Sequence, residues 1–189
     1  MKFDATKTAL IVVDMQRCFC KPSGSLFSKR SQEVIPNIQS FLERARKKDL
    51  LIVYTKDAHQ KVPSTTHYNE FERWGAHCVK GTEEAKIVSE LEPREKDVII
   101  EKDTYDAFHN TSLNEILNRK EIESVLVTGV LTNVCVLHTA SSAALNDYQT
   151  TVISDCTAAL NDYHKEYALK HVDFLFGQVV ESSDIEFDA

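Results

Sequence analysis

About six times along the chain, a short uninterrupted apolar run gives way to a stretch whose apolar residues fall three and four apart. Few folds accommodate that alternation. The runs are Thr8 to Val13 (TALIVV), Leu50 to Tyr54 (LLIVY), Val98 to Ile100 (VII), Ser124 to Thr128 (SVLVT), Thr150 to Ile153 (TTVI) and a short piece from Gln178 to Glu181. Runs without polar alternation suit strands buried on both faces. Between them, Val34, Ile35, Ile38, Phe41 and Leu42 form one stripe at helical spacing, and Ala85, Ile87, Val88 and Leu91 form another. Leu113, Ile116 and Leu117, then Val134 through Leu145, then Tyr163 to Phe174 continue the pattern, each reading as a helix with one buried face. Strand-helix-strand repetition implies right-handed crossovers and a parallel sheet. The expected fold is a three-layer α/β/α domain, doubly wound on a mostly parallel six-stranded sheet. With 189 residues, 42% of them apolar, residues 1–189 have the size of a single domain with one core.

Charge and length narrow the partners. Twenty-two Lys and Arg against 29 Asp and Glu leave a net charge of −7, with no basic stretch to neutralise a row of phosphates, which argues against nucleic acid. The early apolar run, Ala9 to Val13, falls far short of the roughly 20 residues that span a bilayer, and neither it nor Asp4 suits a signal peptide. No membrane association is expected, and the expected compartment is the cytoplasm. Five cysteines at irregular spacing (Cys18, Cys20, Cys78, Cys135, Cys156) fit reduced thiols better than a disulfide framework.

In open α/β sheets ligands bind beyond the carboxyl ends of the strands. Asp14 follows the first run and Lys102 the third. After the fourth comes the turn Gly129-Val130-Leu131-Thr132-Asn133, leading into a helix that carries Cys135. Taken singly these would be a turn residue, a solvated lysine and a small core side chain. Together they describe a thiol hydrolase. A helix N-terminus and a nearby ammonium favour the thiolate of Cys135, and Asp14 shuttles the proton as general base and acid. Backbone N–H groups of Leu131 and Cys135 would face a developing oxyanion.

A second constellation runs from Asp57 to His77. Asp57 and His59 follow the second strand, with His67, Glu70 and His77 after them. Imidazole and carboxylate donors on one loop, with positions left open, suit a catalytic zinc, iron or manganese; the plain alternative is a polar loop with exposed histidines.

These blocks resemble a known family. Ala9-Leu10-Ile11-Val12-Val13-Asp14-Met15-Gln16 with Phe19, Trp74-Gly75-Ala76-His77-Cys78-Val79-Lys80-Gly81-Thr82, Lys102 with Tyr105 and Phe108, and Gly129-Val130-Leu131-Thr132-Asn133-Val134-Cys135-Val136 stand in the order found in isochorismatase-like cysteine hydrolases, and among them nicotinamidases. The resemblance implies a catalytic triad on Asp14, Lys102 and Cys135 and a cis peptide between Val130 and Leu131. It implies one divalent metal ion, zinc with iron or manganese as alternatives, on Asp57, His59 and His77. Some relatives complete that site with a histidine and others with a glutamate seven residues before the last histidine. Glu70 stands at that distance and is preferred to His67. Phe19, Trp74 and Tyr105 match positions that hold the substrate ring.

The activity so implied is hydrolysis of a small-molecule amide, nicotinamide to nicotinate and ammonia through a thioester. The alternative is an N-carbamoyl or ureido compound cleaved by the same triad. Such proteins are usually homo-oligomers. Two departures bear on the pocket: Cys18 replaces an acidic residue, and Gly75-Ala76 replaces prolines before the metal histidine, which is expected to loosen the loop that aims His77.

Overall fold

The computed structural model describes residues 1–60 and 68–188. Its main sheet contains β2 (Thr8–Val13), β3 (Leu51–Asp57), β4 (Val98–Lys102), β5 (Ser124–Val130), β6 (Gln149–Ala158) and β7 (Gln178–Val180), in the order β4-β3-β2-β5-β6-β7. Every neighbouring pair is parallel, so the sheet is wholly rather than mostly parallel.

Both faces are covered, as the unbroken apolar runs require. All of β2 is buried; Leu10 and Val12 belong to one apolar cluster, and Ala9, Ile11 and Val13 to another on the opposite face. The first cluster takes Ile35, Ile38, Phe41 and Leu42 from α3 (Ile35–Lys47), and also receives α1 (Arg17–Cys20). The second takes Leu113 and Leu117 from α5 (Leu113–Arg119), Ala140 and Ala143 from α6 (Leu137–Leu145) and Val172 from α7 (Asp162–Leu175). The three layers anticipated from the alternation are therefore present. Among the described residues no helix is long and apolar enough to cross a membrane.

The sequence reading misses in three places. Residues 85–91 are not a helix; only Ser89–Leu91 make a 3₁₀ turn. The segment turns at Glu84–Ala85 and bridges Gln16 at Ile87, packing against the start of α1, where Arg17 and Cys18 N–H donate to the carbonyls of Lys86 and Glu84, and Val88 N–H donates to Met15 O. Ala85, Val88 and Leu91 are still buried, so the helical spacing recorded burial without helical backbone. A second, two-stranded parallel sheet joins β1 (Lys2–Asp4) to β8 (Glu186–Asp188). The stretch read as a metal-binding loop contains a short helix, α4 (Tyr68–Trp74). One more short helix, α2 (Lys29–Glu33), precedes α3.

The chain runs outward from β2 through β3 to β4, then crosses back to place β5 on the other side of β2. Connections diverge at that reversal and open a crevice above β2 and β5. Gly129 permits the close approach there. It pairs with Val13 at φ +107°, and a Cβ built on it would stand 2.0 Å from Val13 O.

Candidate active site

Asp14, Asp57, Lys102 and the turn before Cys135 stand at the carboxyl ends of β2, β3, β4 and β5, all on the same edge of the sheet. Asp14 follows β2 with φ 49°, a left-handed conformation that aspartate tolerates better than most residues. Its N–H donates to Thr55 O on β3 (3.2 Å), and Thr55 Oγ1 donates to Asp14 Oδ1 (2.7 Å). Lys102 is the last residue of β4 and is 3% exposed. Its ammonium lies 2.7 Å from Asp14 Oδ2, is paired with Asp57, donates to Thr104 O (3.0 Å) and stands 3.7 Å from Cys135 Sγ. Cys135 sits in a π-helical turn, Thr132–Val136, inserted between β5 and α6, a local geometry often found at functional sites. The Val130–Leu131 peptide is cis, as anticipated. The structure thus gathers Asp14, Lys102 and Cys135: Cys135 Sγ and carboxylate oxygens of Asp14 and Asp57 all lie within 4.8 Å of one another.

The charge balance differs from expectation. Burial pushes the Cys135 thiol well above its ordinary pKa, and Asp14 and Asp57 add to this against the opposing pull of Lys102. At rest, then, Cys135 is a thiol with a base beside it and not a preformed thiolate. Burial alone would lower Lys102; Asp14, Asp57 and Cys135 reverse the direction and hold it charged.

The second constellation closes as well. Ligating atoms of Asp57, His59, Glu70 and His77 all lie within 4.8 Å of one another, and all four residues are buried. Glu70 Oε1 stands 3.8 Å from His59 Nε2 and 3.7 Å from His77 Nε2. Among the described residues, neither Glu70 Oε1 nor His59 Nε2 has a hydrogen-bond partner. Orphaned buried acceptors are costly, and a shared cation would satisfy both. His77 Nδ1 lies 2.8 Å from Gly75 O, which presents the other ring nitrogen to the cluster in the manner of metal-bound imidazoles. Gly75 therefore aims His77 through its carbonyl, where the loss of prolines was expected to loosen the loop. Burial, reinforced by His77, depresses His59 to about 4, so its ring is neutral as a ligand must be. Burial pushes Asp57 up to about 7, against the pull of Lys102. Asp14, Asp57 and Glu70 face one ammonium, a deficit that a divalent cation corrects, so the donor set fits a metal. His67, the alternative ligand, lies outside the described residues.

A cavity of about 300 Å³ joins the two clusters. Cys135, Leu131, Asp57, Glu70 and His77 form part of its wall, with Phe19, Trp74 and Tyr105 on the apolar sides; Trp74 Nε1 donates to Tyr105 Oη (2.9 Å). Asp14 and Lys102 lie beneath this surface, fully or nearly buried. Ser25, Leu26, Phe27 and Leu160 also line the cavity and were not anticipated. Ser25, Leu26 and Phe27 reach the pocket from the α1–α2 connection, where no local signal marks them, while Leu160 stands just past the carboxyl end of β6 between residues that carry no titratable side chain.

A family model, Isochorismatase domain, matches residues 8–184. The chain belongs to this family. Its fold agrees with that of an isochorismatase-like hydrolase from Alkaliphilus metalliredigens (31% identity, 94% of this chain and 96% of that one, TM-score 0.88). The chain is also similar to two amidase-type proteins. One is the pyrazinamidase of Pyrococcus horikoshii, solved in complex with zinc (30% identity, 93% and 99% covered, TM-score 0.84). The other is the N-carbamoylsarcosine amidase of Thermoplasma acidophilum (31% identity, 95% and 99% covered, TM-score 0.83). Membership makes the chain an isochorismatase-like hydrolase.

Proposed function

We propose that the chain is a cysteine-dependent amidohydrolase that converts nicotinamide to nicotinate and ammonia, with Asp14, Lys102 and Cys135 as its catalytic residues. The observation that carries this reading is a thiol 3.7 Å from a buried ammonium, with a carboxylate beside it, in the wall of a cavity that also bears metal-ligand side chains. A silent scaffold has no physical need for such costly neighbours.

Asp14 Oδ2 takes the proton of Cys135 as the sulfur attacks the carboxamide carbon. The carbonyl oxygen becomes an oxyanion held by the N–H groups of Leu131 and Cys135. Protonated Asp14 then gives its proton to the amide nitrogen, the C–N bond breaks and ammonia leaves a thioester. Asp14 next removes a proton from water, whose oxygen attacks the thioester carbon. The C–S bond breaks, and the acid departs as Cys135 regains its proton. Lys102, held charged throughout, stabilises the sulfur anion as it forms. Asp57, His59, Glu70 and His77 would hold one divalent cation, zinc by analogy with the pyrazinamidase complex, and such an ion would supply Lewis-acid chemistry to a substrate bound in the cavity. Phe19, Trp74 and Tyr105 pack the ring.

The cavity favours this substrate over an N-carbamoyl amino acid. Among its described lining residues there is no Lys or Arg to meet a carboxylate, and Lys102 behind the wall is already paired with two carboxylates. The test is ammonia release from nicotinamide and, in parallel, from N-carbamoylsarcosine, by the wild type and by Cys135→Ala. The expected result is turnover of nicotinamide alone, abolished in the variant with metal content unchanged. Ammonia release by Cys135→Ala would overturn the nucleophile, and preference for the carbamoyl compound would overturn the substrate. All five cysteines are free, which supports work in a reducing compartment such as the cytoplasm.

A further inference from the structure

Thr55 stands on β3 after the apolar residues Ile52, Val53 and Tyr54, fully buried, where a hydroxyl needs partners. It has two, both on Asp14. Thr55 Oγ1 donates to Asp14 Oδ1 at 2.7 Å and accepts from Asp14 N–H at 3.3 Å. An ionised carboxylate oxygen can only accept, so the one hydrogen of the hydroxyl goes to Asp14 Oδ1 while a lone pair takes the N–H. Asp14 Oδ2 is in a different position. It forms an ion pair with Lys102 Nζ at 2.7 Å, and a carboxylate oxygen of Asp14 lies within 4.8 Å of Cys135 Sγ. Held at Oδ2 alone, the carboxylate would be free to rotate against the ammonium, which as a point charge fixes no orientation. Thr55 prevents that rotation by keeping Oδ1.

We propose that Thr55 is a positioning residue of the hydrolase: its hydroxyl anchors one oxygen of Asp14 so that the other keeps a lone pair on the thiol of Cys135. The inference rests on the reading of Asp14 as proton shuttle. Thr55 touches neither substrate nor sulfur and acts through Asp14. With the anchor gone, the carboxylate is free to turn onto Lys102, which weakens the base and the support that Lys102 gives the sulfur anion. The Asp14 N–H keeps the Thr55 carbonyl at 3.2 Å as acceptor, so an isosteric change leaves the backbone satisfied.

The variants are Thr55→Val, which keeps the shape and removes the hydroxyl, and Thr55→Ser, which restores it. Thr55→Val should lower kcat for amide hydrolysis by about ten- to a hundredfold with KM unchanged, the range expected for losing a hydrogen bond to a charged group. It should slow alkylation of Cys135 by iodoacetamide at neutral pH, while Thr55→Ser recovers most of both rates. Wild-type kcat in Thr55→Val overturns the proposal. So does a loss that Thr55→Ser fails to recover in a protein melting at the wild-type temperature, because packing would then be the cause. Alkylation needs no substrate: if the wild type hydrolyses none of the amides tried, the reading of the reaction fails, and slower alkylation in Thr55→Val still supports the anchor while an unchanged rate overturns it.

Discussion

Replacing Lys102 with methionine tests the electrostatics of the candidate nucleophile most directly. The side chain keeps its length and loses its charge. In the structure that charge is 3.7 Å from Cys135 Sγ with both groups buried. At an effective dielectric of about 20, the attraction between an ammonium and a thiolate at this separation is worth about 4 kcal/mol, or about three powers of ten in thiolate population. Asp14 and Asp57 lose the same partner and take up protons more readily, which offsets part of the loss. The expected slowing of alkylation at neutral pH is therefore about a hundredfold or more. The assay is the iodoacetamide rate at Cys135, read by mass spectrometry of the peptide. The other four cysteines are fully buried and do not line the cavity, so the measurement reports one site. Removing one partner of a buried ion pair also destabilises by about 3–5 kcal/mol, a fall in melting temperature of roughly 6–20 °C for a chain of this size. A folded Lys102→Met protein alkylated at the wild-type rate would refute the reasoning.

Two further substitutions probe the frame of the site. Glu70→Ala removes the carboxylate that stands between His59 and His77, and should lower bound metal per chain, measured by plasma mass spectrometry, at least tenfold under dialysis that leaves the wild type loaded; full occupancy would remove Glu70 from the ligand set. Gly129→Ala forces a left-handed backbone and drives a Cβ to 2.0 Å from Val13 O, so β2 and β5 must part where the crevice opens. We expect a loss of about 3–5 kcal/mol in chemical denaturation, and a loss under 1 kcal/mol would show that the strands yield without cost.

The sheet was legible in the sequence because β2, β3, β5 and most of β6 are buried on both faces and therefore uninterrupted, while β4, at the sheet edge with Ile99 48% exposed, still carries a short apolar run; the strand ends then pointed to Asp14, Asp57, Lys102 and the turn before Cys135. Where side-chain spacing and backbone part company, the reading failed. Ala85, Val88 and Leu91 are core residues on a segment held by the carbonyls of Glu84 and Lys86, which accept from α1, and by the N–H of Val88, which donates to Met15 O; burial periodicity cannot distinguish that from a helix. β1 and β8 have three residues each, half-polar, and pair only because the two ends of the described chain meet. Ser25, Leu26 and Phe27 reach the cavity by tertiary approach and have no motif around them, and Leu160 follows β6, where neither it nor Ala159 is polar enough to draw notice. The resting state of Cys135 was also hidden. A helix start beside a lysine argues for a thiolate, but only coordinates show Asp14 and Asp57 close enough, and the burial deep enough, to outweigh the lysine.

Asp57 connects the two halves of the site. Its carboxylate is paired with Lys102 and belongs to the four-residue donor set, so it is shared between the metal cluster and the nucleophile cluster. Gln16 holds it there by taking both backbone groups of Asp57: Gln16 Nε2 donates to its carbonyl and Gln16 Oε1 accepts its N–H, each at 2.8 Å. A charge placed on the donor set therefore acts on the thiol as well as on a substrate ring. Asp57 is one of the groups holding the Cys135 pKa up, and a divalent cation drawing on that carboxylate would relieve the effect. Stripping metal with a chelator should then slow iodoacetamide alkylation of Cys135 even with no substrate present, and readding zinc should restore the rate. If the clusters were merely neighbours, alkylation would be indifferent to metal and hydrolysis alone would fall, a result that would break the link through Asp57.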